Sequence, residues 1–129
     1  MSTILVNTLT GTSTAGSIAV TGEGNSTTTN LQQGLAKAWL RATASAAVSD
    51  SLNVSSGTDH GTGDYSFATT NAFNNINYAN VWTVYTTAGR NAIRNDSRDA
   101  TDTLAVEVNN LSGSNVDHAT NGTSHGDLA

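Results

Sequence analysis

In the segment "TDTLAVEVNN", residues 101–110, large apolar side chains recur at every second position from Leu104 to Val108. Leu104, Val106 and Val108 fall on one side of an extended chain, with Thr103, Ala105 and Glu107 on the other. A period of two belongs to a strand with one buried face. Shorter stretches read the same way. "VSDSLNVSS" puts Val48, Leu52 and Val54 on one face, and "DYSF" puts Tyr65 and Phe67 together. "NVWTVYTT" sets Trp82 and Val84 against Val81 and Tyr85, so this strand is expected to be covered on both sides. Gly, Asn, Ser and Asp fill the segments between. Short strands at such spacing predict an all-β chain, an antiparallel β-sandwich of jelly-roll-like type.

The material for a core is limited. Hydrophobic residues are 36% of the 129, and charged residues only 12%. That is too polar for an ordinary globular enzyme and too weakly charged for the usual disordered chain. It suits β-structure that offsets a thin core by burying surface against copies of itself. A homo-oligomer, a trimer first, is therefore expected.

The net charge is −5, and the cations are Lys37, Arg41, Arg90, Arg94 and Arg98. Five cations cannot build the basic face that phosphate backbones require, so no nucleic-acid partner is expected. Arg90, Arg94 and Arg98 would align on a helix, but Asp96, Asp99 and Asp102 intervene, and a solvated charged loop is the preferred reading. With no Cys there is no disulfide framework. No apolar run approaches the roughly 20 residues that cross a bilayer. The opening "MSTILVNTLTG" lacks the basic and apolar regions of a signal peptide. No membrane partner is expected.

Residues 1–29 read as an arm and residues 30–129 as the sandwich domain. In the arm, "STILVNTL" is a strand candidate with Ile4 and Val6 opposite Leu5 and Leu9, and "SIAVTG" is a second, carrying Ile18 and Val20. "GEGNSTTTN" reads as linker. Two short strands are not stable alone in water, so Ile4, Leu5, Val6, Leu9, Ile18 and Val20 are expected to form an attachment and assembly surface. "NLQQGLAKAWL" allows two readings. One is a helix with Leu31, Leu35 and Trp39 in line and Asn30 and Gln33 as a capping box; the other is a turn over Asn30–Gly34 with a strand from Leu35.

One stretch invites a chemical reading. "NVSSGTDHGTGDYSF" gathers Asp59, His60 and Asp64 within six positions. The glycines Gly57, Gly61 and Gly63 suit a hairpin connection between strands ending near Val54 and starting near Tyr65, and Asp59 and Asp64 can close Asx-turns. A calcium loop wants more carboxylates, and a zinc site wants ligands that His118 and His125 are too distant in sequence to suggest. The hairpin is preferred, with no metal or other cofactor and no catalytic residue assigned. No G-x-S-x-G elbow and no phosphate-cradling loop occurs, so no enzyme is expected. Trp82, Tyr78, Tyr85 and the Asn-rich "NAFNNINYAN" could bind a glycan, although seven aromatic residues are about what the core itself needs.

"NTLTGTSTAGSIAVTGEG", "LQQGLAKAW", "DSLNVSS", "GTGDYSF" and the terminal "HGDLA" resemble, in the same order, small virion proteins of marine and cyanobacterial tailed phages, many described as tail-fibre or virion structural proteins. The resemblance runs from about Ile4 to Tyr78 and resumes at the last five residues. It implies a structural protein in the virion, attached through its N-terminal arm, with tail or capsid proteins as partners and a host-surface glycan as a further one. A head decoration protein is the alternative, and a carbohydrate-binding or carbohydrate-active particle protein a third. The family's Lys-Ala-Trp precedes an extended segment, which favours a strand rather than a helix around Trp39. The family gives no catalytic residue to carry over.

Overall fold

A computed structural model describes residues 3–12, 18–21, 28–85, 91–95 and 100–128. The chain forms two compact units, Met1–Leu35 and Ala36–Ala129.

In the first unit, β1 (Ala19–Thr21) and β2 (Thr28–Asn30) pair antiparallel, Ala19 opposite Asn30. The Leu31 amide extends the pairing by donating to the Ile18 carbonyl at 2.8 Å. A single helical turn, α1 (Leu31–Gly34), follows. β1 lies within the expected second arm strand. Two expectations are corrected. Residues 28–30 are strand rather than linker, and the described residues 3–9 of "STILVNTL" form no strand. Their alternation has no ladder among the described residues to lie against, and a lone strand cannot satisfy its own backbone groups.

The second unit is a β-sandwich of eight antiparallel strands: β3 (Ala38–Ala42), β4 (Val48–Leu52), β5 (Val54–Gly61), β6 (Asp64–Thr69), β7 (Ala79–Tyr85), β8 (Asn91–Asn95), β9 (Thr103–Asn110) and β10 (Ala119–His125). One sheet has the order β4-β3-β10-β7 and the other β5-β6-β9-β8. Hairpins β3–β4, β5–β6 and β8–β9 stay within a sheet, and the chain crosses between sheets after β4, β6, β7 and β9.

The core lies between the sheets. Ala38, Leu40 and Ala42 point inward from β3, Tyr65 and Phe67 from β6, and Leu104, Val106 and Val108 from β9, all buried. Trp82 and Val84 pack against them from β7, and Trp82 lies 5.8 Å from Phe67 between ring centroids. Trp82 is paired with Gly122 of β10, where a side chain would collide with the indole. Phe73 and Tyr78 stack at 4.3 Å. The alternation of Thr103–Val108 is as expected for Leu104, Val106 and Val108, but Ala105 is buried too despite its opposite parity.

"VSDSLNVSS" is not one strand. Arg41 faces Asp50 while Ala42 faces Val48, so a bulge at Ser49 reverses the phase between Val48 and Leu52. Val48 packs on the core and Leu52 is exposed. Asn53, at φ 59°, then takes the chain to the other sheet, and Val54 packs inward there. Asn tolerates this left-handed conformation better than most residues. Here its side chain also holds the far end of β6, accepting from the Asn71 amide at 2.7 Å and donating to the Asn71 carbonyl at 3.0 Å.

Tyr65 carries a buried hydroxyl that shares its proton between the Ala44 carbonyl at 2.9 Å and Asp117 Oδ1 at 3.1 Å. Burial, then the Asp117 carboxylate, push its pKa well above the ordinary tyrosine value, because both disfavour the phenolate. The folded chain therefore holds this proton at a pH where the unfolded chain releases it, and stability falls as pH rises past about 10. Tyr65→Phe is expected to lower stability at pH 7 by about 1–2 kcal/mol and to flatten the decline at alkaline pH. Denaturant midpoints from pH 8 to 11 check this; parallel profiles for the two proteins would refute it.

Candidate functional site

Three places were legible as candidates in the sequence, and their geometries differ. The Asp59–His60–Asp64 stretch is a hairpin, but not the long connection expected. β5 runs on to Gly61 and β6 starts at Asp64, so only Thr62 and Gly63 form the turn. Asp59 Oδ1 accepts from the Gly61 amide at 2.9 Å, the Asx-turn expected of it. His60 occupies an irregularity between the Asp59 and Gly61 pairs, and its Nε2 lies 2.8 Å from Ser66 Oγ. A Ser–His contact becomes a nucleophile only with an orienting group on the second ring nitrogen and donors for an oxyanion. Among the described residues no carboxylate bonds the His60 ring. Among them, too, no group of three or more His, Cys, Asp or Glu could hold a metal ion.

The glycan candidates separate. Trp82 belongs to the inner face, and Tyr78 stacks on Phe73 with its hydroxyl near the Ala100 and Thr103 carbonyls. Within the Asn-rich run, Asn71 bonds Asn53, and Asn75 Oδ1 closes a turn on the Asn77 amide at 2.7 Å. Tyr85 alone of the named aromatics stands outside, 65% exposed. The expectation that "NVWTVYTT" is covered on both faces is corrected with it, since Val81 is 58% exposed. Trp39 is the aromatic that sequence reasoning left out of this group. Its parity in β3, opposite to that of Leu40, is the signal that could have found it.

Trp39, Leu52, Val81 and Tyr85 share the outer face of the β4-β3-β10-β7 sheet. The register aligns Leu52, Trp39, Thr123 and Val81 in one row across the strands, and Asp50, Arg41, Asn121 and Thr83 in the next. The Arg41 guanidinium carbon sits 5.6 Å from the centre of the Tyr85 ring, a cation–π arrangement that steadies an exposed aromatic. Such a face offers flat apolar rings beside amide and hydroxyl groups, the chemistry of a docking surface rather than of a reaction centre. The other outer face is more polar: Arg94 pairs with Glu107 across β8 and β9. Arg94 thus stands on a strand and not in a charged loop, while Arg90, Arg98, Asp96 and Asp99 lie outside the described residues.

The third place is the arm. Ile4 and Leu5 are 84% and 90% exposed, and Val6, Leu9 and Val20 are exposed as well, with Ile18 half-buried. Residues 3–12 form no backbone hydrogen bond among the described residues. Among those residues no helix is long and apolar enough to cross a membrane.

No family model matches the chain, and no curated protein or solved structure matches it.

Proposed function

We propose that this chain is a structural virion protein of a tailed phage, of tail-fibre type, held in the particle by its N-terminal arm and presenting the β-sandwich outward. The observation that carries the reading is the arm: four large apolar side chains, Ile4, Leu5, Val6 and Leu9, are all exposed to solvent. Exposure of this kind is costly in an isolated monomer and is relieved by assembly. The sequence resemblance supplies the particle, and self-association as a trimer supplies the buried area that a thin core lacks. In this reading the protein is not an enzyme, and contact with a host-surface glycan falls to the face carrying Trp39 and Tyr85. A head decoration protein is the second reading. It is favoured by the compact sandwich, which among its described residues has no shaft-like element.

Two measurements on purified particles test these readings. Removing residues 1–24 is expected to abolish incorporation while the sandwich still folds; normal incorporation rejects the arm as anchor. Gel densitometry separates tail from head. A band near capsid stoichiometry rejects the fibre, and a trace band rejects the decoration protein.

A further inference from the structure

We infer that β7 is the acceptor edge for the arm of a second copy, which adds to it as a fifth strand of the β4-β3-β10-β7 sheet. The inference rests on reading residues 3–12 as an assembly arm and adds where that arm goes.

Among the described residues the sandwich has four edge strands, β4, β5, β7 and β8. An edge is a row of unpaired backbone groups, and proteins blunt it with charge, bulges, glycine or brevity. β4 has Asp50 and a bulge. β5 has two register irregularities, Asp59, His60 and two glycines. β8 is five residues long and carries Arg94. β7 has none of these devices. Its seven residues, "ANVWTVY", are uncharged, lack Gly and Pro, and pair with β10 without a shift from Ala79 to Tyr85. Such a strand is a template for pairing with another chain.

The arm has the complementary properties. The sequence has no charged residue before Glu23, so pairing there desolvates no ion. In an extended conformation Ile4 and Val6 face one way and Leu5 and Leu9 the other. A strand beside β7 needs apolar residues on both sides. Trp82 and Val84 lie toward the core on one side, and Val81 and Tyr85 stand in solvent on the other. Pairing β7 with a second β7 would satisfy the edge but leave the arm exposed. Arm addition buries both. It also joins unlike surfaces, and a head-to-tail contact of this kind closes into rings such as a trimer when the rotation permits.

The test uses two full-length variants altered only at exposed side chains. Val81→Lys puts a charge on the edge, and Ile4→Asp with Val6→Asp disables the arm. Light scattering after chromatography is expected to show the unaltered protein as a multimer and each variant alone as a folded monomer, its self-association weakened at least about tenfold. Mixed one to one, the variants are expected to give a heterodimer, the intact arm of one on the intact edge of the other. If the arm variant is monomeric but Val81→Lys still assembles, the arm reading stands and the β7 assignment is overturned. If the arm variant still assembles, edges pair with edges and the arm reading falls with it. A monomeric unaltered protein, or a mixture that stays monomeric, also overturns the inference.

Discussion

Gly57→Ala is expected to destabilise the sandwich by about 4 kcal/mol, at the upper end of what single substitutions do. Gly57 lies within β5 and faces Phe67 in the ladder. A Cβ there would sit 2.0 Å from the Ala46 carbonyl oxygen and 3.0 Å from Phe67 Cε1. The first obstacle is backbone, held on both sides. The Ala46 amide donates to the Thr43 carbonyl at 3.1 Å, and the Thr43 amide to the Ala47 carbonyl at 2.9 Å. Thr43 Oγ1 also accepts from the Ala47 amide at 3.1 Å. The β3–β4 turn cannot retreat without losing these bonds, and a packed core resists displacement of this size. Urea unfolding measures the loss as a lower midpoint at unchanged slope. A loss below about 1 kcal/mol would mean that the turn does not press on β5.

Gly63→Ala is expected to cost about 3 kcal/mol, for two reasons that add. Gly63 has φ +66°, a region that costs a residue with a Cβ about 1–2 kcal/mol. The new Cβ would also lie 2.5 Å from the Val108 carbonyl oxygen and 2.7 Å from that of Val116. Those groups belong to a closed set of bonds: the Val108 amide donates to the Gly63 carbonyl at 2.8 Å and the Val116 amide to the Val108 carbonyl at 3.0 Å. The Gly63 amide donates to Asp117 Oδ1 at 2.6 Å, and the same oxygen meets the Tyr65 hydroxyl. Gly61→Ala is the control. Gly61 also has positive φ, but nothing lies within 4 Å of its Cβ position, so only backbone strain is added. A Gly63→Ala loss no larger than about 1–2 kcal/mol, the backbone strain alone, would show that the contact with Val108 and Val116 does not matter.

These glycines mark where sequence reasoning stops. In "SSGTDHGTGDY", Gly57, Gly61 and Gly63 look alike, three turn formers in one connection. The structure gives them different tasks: close approach between sheets at Gly57, an open bend at Gly61, and a packed turn at Gly63. Composition cannot separate them, because what would collide at Gly57 and Gly63 is a carbonyl outside this stretch, and at Gly61 nothing would. The same holds for the candidate sites. The exposure of the arm could be anticipated from apolar residues with no neighbours to cover them. The outer face with Trp39 and Tyr85 could not, because Leu52 joins it only through the bulge at Ser49 and Tyr85 only through the register with β10.

By itself the sequence determined that the chain is built of antiparallel strands, that β6 and β9 line a core, and that Asp59 closes a turn on its own neighbouring backbone. These follow from period-two patterning and from side chains that bond their own neighbouring backbone, both local effects. Only the tertiary structure decided that "VSDSLNVSS" divides between two sheets, that Trp82 goes inside while Trp39 stays out, and that β7 is an edge strand among the described residues. Each of those depends on which strand lies beside which. Strand order is set by burial shared among residues distant in sequence, and no window along the chain contains it.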